Sequence, residues 1–222
     1  TGISNGTLYQ AYFGEDCNLL CDKQIVDRYL ATANVKRTNP SAQNSYNTSV
    51  LGAVYARLGD GDKALQCLGD VARGCVLSNL AIADQDWRGM GVCGNSRHRS
   101  VVLQSNFMFA NVVQQMLLYA HGDNIVLLPA LPNDWNYVEF RDLVCDNGVV
   151  VALKYDGAKG VFKFSLLSKK GVTVNLYLPK FAKKLTKCTL DDKPKGNQFS
   201  VTLPVNKAVE FTYKVPIVKE TK

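Results

Sequence analysis

"VVLQSNFMFANVVQQMLLYAHGDNIVLLPALPNDW", residues 101–135, contains the turning point of the chain. Up to His121 the apolar residues recur with helical spacing and cover nearly every side of the wheel. A helix apolar all round packs between other helices. The pattern predicts a buried helix from about Ser105 to about His121, stopped by Gly122, with His121 at its carboxyl end where a donor suits the helix dipole. Gln104, Ser105, Asn106 and Asn111 sit at its leading end. Ser105 or Asn106 reads as an N-cap that accepts from first-turn N–H groups; the alternative is that these polar groups form the floor of an active site.

On the amino-terminal side the same period recurs. Asp22 is placed as the N-cap of a helix bearing Ile25, Val26, Tyr29, Leu30 and Ala33. KRTNPSAQNS, 36–45, is a loop broken by Pro40. Val50, Leu51, Val54, Tyr55 and Leu58 form a second stripe ended by Gly59; Asp60 or Asp62 caps a third helix with Ala64, Leu65, Leu68, Val71, Ala72 and Cys75 inside. So short a join makes an antiparallel hairpin, with Arg57 and Asp60 as polar anchors at its end. Residues 79–100 read as loop.

On the carboxyl side the period becomes two. Phe162, Phe164 and Leu166 alternate with Lys163 and Ser165, and Val172, Val174, Leu176 and Leu178 with Thr173, Asn175 and Tyr177. Phe199, Val201 and Leu203 follow, then Val209, Phe211 and Tyr213. DNG (146–148), DGAKG (156–160), SKKG (168–171) and DDKPKGN (191–197) supply turns. Roughly seven strands in an antiparallel β-sandwich are expected, because the joins are too short for parallel crossovers. The fold class is thus α then β, as helical hairpins (1–135) followed by a β-sandwich (136–222), with Trp135 plugging the junction.

Charge divides at the same place. Residues 1–135 hold 10 Lys/Arg and 11 Asp/Glu; residues 136–222 hold 16 and 8. The excess is lysine spaced along alternating strands, without the arginine and aromatic interleaving of a nucleic-acid groove, so it reads as a solvated face. No run is apolar enough to span a bilayer, and TGISNGTLYQ shows no signal-peptide pattern. Of the seven cysteines (17, 21, 67, 75, 93, 145 and 188) at least one is unpaired within the chain, and none forms a CxxC. Buried thiols in a reducing compartment are the expectation; a zinc site from Cys93 and His98 has poor spacing, and His98 sits in a basic loop that reads as exposed. Asn5-Gly6-Thr7 and Asn47-Thr48-Ser49 match the glycosylation pattern.

Five stretches in order carry a resemblance: YARLGDGDKAL (55–65), DWRGMG (86–91), SNFMFANVVQQMLLYAH (105–121), LLPALPNDW (127–135) and VCDNGVVVALKYDG (144–157). Over about residues 15–180 they resemble glycoside hydrolase family 95, inverting α-L-fucosidases and relatives. The resemblance implies the last helices of an (α/α)6 barrel followed by a C-terminal β-domain, no metal, no organic cofactor, and a fucosylated or related glycan as partner beside the remainder of a longer chain. In such enzymes one carboxylic acid protonates the leaving oxygen while a carboxylate ~6.5–9.5 Å away activates water.

At the helix start the family reads Gln-Ile-Asp-Gly-Asn or Gln-Ile-Asp-Ala-Asn, the Asp being the base. The matching residues are Val102, Leu103, Gln104, Ser105 and Asn106: the Asn is kept and the carboxylate is replaced. Gln104 cannot accept a proton from water at working pH, although it can orient one or bond a sugar hydroxyl. Asn106 remains a candidate to orient water. No residue of this chain matches the family's general acid. Asp146, Asn147 and Gly148 stand where the family tends to have Arg-Gly-Gly. Trp87 and Arg88, beside Asp86, suit sugar stacking and hydroxyl recognition; the competing reading is a loop anchored by a buried Trp. Two functions follow: the C-terminal part of a fucosidase-type hydrolase, inactive as an isolated chain, or a non-catalytic carbohydrate-binding or scaffold module of the same fold.

Overall fold

A computed structural model describes residues 23–38, 43–95, 100–190 and 193–218. Asp22, Pro40, His98, Cys17, Cys21 and the Asn5 glycosylation match lie outside the described residues, as do the side chains of Ile25, Val26 and Tyr29. Among the described residues the helices are α1 (Lys23–Arg37), α2 (Ser45–Arg57), α3 (Gly61–Cys75) and α4 (Leu103–Leu117). Among the described residues nine strands follow: β1 (Leu118–His121), β2 (Asn124–Leu127), β3 (Tyr137–Val144), β4 (Val150–Asp156), β5 (Val161–Leu167), β6 (Val172–Tyr177), β7 (Lys184–Cys188), β8 (Gln198–Leu203) and β9 (Val209–Lys214). The expected order, α then β, is the observed one.

Two compact units result. Of the described residues, those through Leu117 together with Pro129–Pro132 form one; Leu118–Leu128 and those from Asn133 form the other. In the helical unit, α2 and α3 are joined by a cap at each side of one turn. Gly59, at φ +82°, donates to Ala56 O at 3.1 Å, and Asp60 N donates to Tyr55 O at 2.9 Å. That pair of bonds satisfies carbonyls the helix leaves open, and the left-handed residue suits glycine. Asp60 then accepts from Lys63 N at 3.0 Å and becomes the N-cap of α3. A Cβ at Gly61 would stand 2.4 Å from the Ala130 carbonyl oxygen, so α3 starts in direct backbone contact with LLPALP. Two of the stretches that carry the resemblance, ARLGDG and LLPALP, therefore touch.

The burial of the helices corrects one expectation. The helix buried nearly all round is α2, in which eleven of thirteen residues are buried. Its SYNTSVLGAVYAR is rich in Ser, Gly and Ala, which let neighbours approach closely; a Cβ on Gly52 would meet Cys67 at 3.2 Å and Val112 at 3.4 Å. By contrast α4 buries one stripe, Ser105, Met108, Val112 and Met116, and leaves Leu103 and Phe107 exposed at 61% and 68%.

A second correction concerns where α4 ends. It stops at Leu117, and Leu118–His121 pair antiparallel with Asn124–Leu127 across a two-residue turn, Gly122-Asp123. Gly122 has φ +56°, the requirement of a tight hairpin turn with glycine at its first central position. His121 is thus an exposed residue at the end of a strand, not a helix end. The turn is clamped from β3–β4: Gly122 N donates to Asp146 Oδ2, and Asn147 Nδ2 donates to Gly122 O, both at 2.9 Å.

The β unit has a four-stranded sheet ordered β1-β2-β6-β8 and a five-stranded sheet ordered β3-β4-β5-β9-β7. Pairing is antiparallel except for β2 with β6, which is parallel. The expectation of wholly antiparallel sheets took consecutive strands as neighbours; β2 reaches β6 only after the chain has run through β3–β5 in the other sheet. The alternation holds residue by residue: Phe162, Phe164 and Leu166 are buried while Lys163 is exposed, and Val174, Leu176 and Leu178 are buried. Phe164 stacks on Phe211 with centroids 4.7 Å apart, and Phe211 meets Phe199 of the facing sheet at 5.8 Å, so aromatic rings fill the sandwich interior. Trp135 is half-buried.

Candidate functional site

The described residues between α3 and α4 are held by bridges and hydrogen bonds rather than forming a loose loop. Val76 bridges to Ile82 and Ala83 to Val101, and Asp84 N donates to Ser100 O at 2.7 Å. At its centre lies Asp86, fully buried. Its Oδ2 accepts from Gly91 N at 2.7 Å and Val92 N at 3.4 Å, and its Oδ1 accepts from Arg88 N at 3.1 Å. A buried carboxylate is tolerated where its oxygens find donors, and here three backbone N–H groups wrap it. Gly89 and Gly91, at φ +70° and +72°, give the chain the left-handed steps this wrapping needs. Gly74 removes the last obstacle, because a Cβ there would stand 2.3 Å from Val92 and 3.1 Å from the Asp86 carboxyl carbon.

Arg88 and Trp87 are brought together by the same loop. The Arg88 guanidinium lies 4.8 Å from the Trp87 ring centroid. It donates to three carbonyls at the end of α3: Ala72 at 3.3 Å, Arg73 at 3.0 Å and Val76 at 2.7 Å. A cation on open carbonyls at a helix carboxyl end is favourable for both hydrogen bonding and the helix dipole. Trp87 is half-buried and Arg88 exposed. DWRGMG is accordingly a self-contained device: the acid folds the loop, the glycines turn it, and the arginine fastens it to α3.

The start of α4 differs from the N-cap reading. The helix begins at Leu103, so Ser105 and Asn106 lie inside its first turn rather than ahead of it. Ser105 is fully buried, and its hydroxyl pairs with that of Ser45 at 2.8 Å, tying α4 to α2. Asn106 is half-buried, and its Nδ2 donates back to Val102 O at 3.0 Å. Gln104, at the position of the family's base, is exposed. The nearby acids in sequence are committed elsewhere: Asp86 to the loop amides, and Asp84 Oδ1 to Asn44 Nδ2 at 3.1 Å. Asn47, in the second glycosylation match, is buried within α2 and offers no surface for a glycan.

Two features were not anticipated. Cys75, at the end of α3, and Cys93 are both buried, with their sulfurs 3.3 Å apart as free thiols. They pack with Val71 and Ile82. The hydrogen bond with Cys75 lowers the pKa of Cys93, while that same bond, followed by burial, raises that of Cys75. The signal in the sequence is two cysteines bracketing a glycine-rich loop, whereas the zinc reading pairs Cys93 with His98. Among the described residues no group of three or more His, Cys, Asp or Glu is placed to hold a metal.

The other feature is an open groove of about 240 Å3 on the outer face of the five-stranded sheet, lined among others by Glu139, Arg141, Lys154, Lys163, Ser165 and Glu210. Glu139 faces Lys154 across the β3–β4 register. Its carboxylate accepts from the Tyr137 hydroxyl, from Lys154 Nζ at 2.9 Å and from Arg141 at 3.1 Å. Those bonds, that of Tyr137 foremost, hold the Glu139 carboxyl down to about 2. The groove mixes both signs of charge. Among the described residues no helix is long and apolar enough to cross a membrane.

No family model and no curated protein matches the chain. Among solved structures, a GH127 β-L-arabinofuranosidase from Geobacillus stearothermophilus T6 is similar, at a TM-score of 0.37 and 10% sequence identity, over 80% of this chain. The chain spans 32% of the length of that enzyme.

Proposed function

We propose that this chain is the C-terminal part of a carbohydrate-active protein of the α-L-fucosidase type, and that by itself it does not hydrolyse glycosides. The observation that carries the reading is the order of its elements. The ARLGDG turn, the DWRGMG loop, the α4 helix, LLPALP and then β-strands follow one another as the resemblance to family 95 leads one to expect, and the first and fourth are in contact through Gly61 and Ala130. In the longer protein the remaining helices close the barrel, and a carboxylic acid from them protonates the leaving oxygen. Trp87, Arg88, Gln104 and Asn106 are the residues of this chain assigned to the sugar: the tryptophan as an apolar platform, Arg88 and Gln104 as exposed donors to hydroxyls, and Asn106 as an orienter of water.

A specific observation favours the non-catalytic alternative, a binding or scaffold module. Gln104 cannot act as a base, and neither Asp84 nor Asp86 is unengaged. General-base assistance is worth about 10²–10⁴ in rate, so its loss reduces turnover by that factor even with the sugar in place.

The chain, the longer protein and its Gln104→Asp variant are to be assayed on aryl α-L-fucoside and on fucosylated oligosaccharides, with binding followed by calorimetry. The isolated chain should show no turnover. The longer protein should bind the oligosaccharide, more weakly after Trp87→Ala. Enzyme-like turnover by the isolated chain, or a longer protein that neither binds nor cleaves any fucosylated glycan, refutes the proposal.

A further inference from the structure

We propose that Cys75 and Cys93 are a redox pair that closes to a disulfide, stapling the Asp86 loop to the end of α3 in response to a peroxide. The geometry requires little movement. The sulfurs are 3.3 Å apart and need close only to the ~2.0 Å of the bond. Both ends are held in place beforehand. Cys75 is the last residue of α3 and its carbonyl accepts from Ala83 N at 2.9 Å. Cys93 follows Val92, whose amide is bound by the Asp86 carboxylate, and the Arg88 guanidinium fastens the same loop to Ala72, Arg73 and Val76. Gly74 lets Val92 and Asp86 lie directly on the helix. The loop is thus folded against α3 by contacts that do not involve sulfur, and these leave the two thiols facing each other.

The chemistry is consistent with the thiols' environment. Either sulfur can donate across the 3.3 Å contact; with the S–H of Cys75 as donor, Cys93 is the easier of the two to ionise. The Cys93 thiolate attacks hydrogen peroxide, an oxidant small enough for a buried site; the O–O bond breaks, Cys93 becomes a sulfenic acid and hydroxide leaves. The Cys75 sulfur then attacks the sulfenic sulfur. The S–S bond forms, and the displaced hydroxyl departs as water with the Cys75 proton. The hydroxide takes up the proton that Cys93 lost, so two thiols and one peroxide give one disulfide and two waters. Cys145 provides an internal contrast: it is a buried thiol that burial pushes up to about 12. The staple encloses the segment that carries Trp87 and Arg88, but the inference stands on sulfur geometry alone and does not depend on the carbohydrate reading.

The test uses the whole chain, reduced with a phosphine, desalted and treated with a few equivalents of hydrogen peroxide. It is then alkylated under denaturing conditions and digested with trypsin for mass spectrometry. Tryptic peptides 74–88 and 89–97 should appear joined, short of two hydrogens, with or without the sulfoxide of the exposed Met90. Cys67 and Cys145 should remain alkylatable. The oxidised chain should melt several degrees higher, and a phosphine should reverse the shift. In Cys93→Ala and Cys75→Ala the shift should vanish. Recovery of Cys93 as sulfinic acid beside an alkylated Cys75, a cross-link to any other cysteine, or both thiols intact overturns the proposal. That reading comes from the unmutated chain and holds even if a variant fails to fold.

Discussion

Glu139 shows how much a single exposed carboxylate is governed by its neighbours. With the Tyr137 hydroxyl, Lys154 and Arg141 all donating to it, its ionised form is favoured and its pKa falls to about 2. The sign follows directly. A depressed carboxylate contributes stability that is present above the ordinary unfolded value, ~4.3, and is lost as pH falls through about 2. A carboxyl titration by NMR should therefore find Glu139 still ionised at pH 3, and Tyr137→Phe should move its midpoint upward more than Arg141→Met does. A midpoint near the ordinary glutamate value in the unmutated chain would contradict the arrangement of β3 and β4. At the same scale, Asp86 reads in the sequence as a charge near an aromatic, suited to a ligand. Its oxygens serve the chain's own amides, and nothing in the letters DWRGMG distinguishes a carboxylate that faces a sugar from one that faces its own backbone.

Elements repeat the lesson with glycine. Gly61 and Gly69 both lie in α3, yet opposite outcomes are expected from Ala at each. At Gly61 the new methyl group meets the Ala130 and Leu131 backbone at 2.4–2.7 Å, so LLPALP or α3 must shift, at a cost of about 1–3 kcal/mol. At Gly69 it meets only the flexible end of Arg73, and relief of glycine's helix penalty should stabilise by about 0.5–1 kcal/mol. Chemical denaturation of the two variants checks the pair together. The face of α4 is tested in the same way. Met116→Ala, at a fully buried site, should cost about 2–5 kcal/mol, whereas Phe107→Ser should change stability by no more than about 0.5 kcal/mol. Equal losses would restore the picture of a helix buried all round. That picture failed because Phe107, Phe109, Val113 and Leu117 are as apolar as the residues of a buried helix, and burial depends on which neighbours exist. The end of the helix is illegible in the sequence for a related reason. Leu117-Leu118-Tyr119-Ala120 continues an apolar run without a break, and Gly122 signals a helix stop and a hairpin turn equally well. The strands after residue 136 were readable because an alternation of two, punctuated by glycines, has no helical counterpart.

Across the whole molecule, the α-then-β order was legible from the change of period, while sheet order was not: the parallel contact of β2 with β6 joins residues some fifty positions apart, and no local pattern records it. The same passage of chain has a consequence for dissection. From Leu117 the backbone leaves the helical unit for the β1–β2 hairpin, returns for Pro129–Pro132, and leaves again at Asn133. No single scission separates the halves intact. A fragment starting at 133 lacks the hairpin and strips β6 of its parallel neighbour, leaving an open strand edge that favours aggregation. A fragment starting at 118 keeps both sheets but carries Pro129–Pro132 away from Gly61. Expression of the two should give a soluble, cooperatively melting product from 118–222 and an aggregating one from 133–222; the reverse would place the hairpin outside the β unit. The two units are therefore not interchangeable cassettes. Recombination at any one point damages a core, and a change of partner for either half requires the four residues of Pro129–Pro132 to be inherited with the helices while the sequence on both sides of them goes with the sheets.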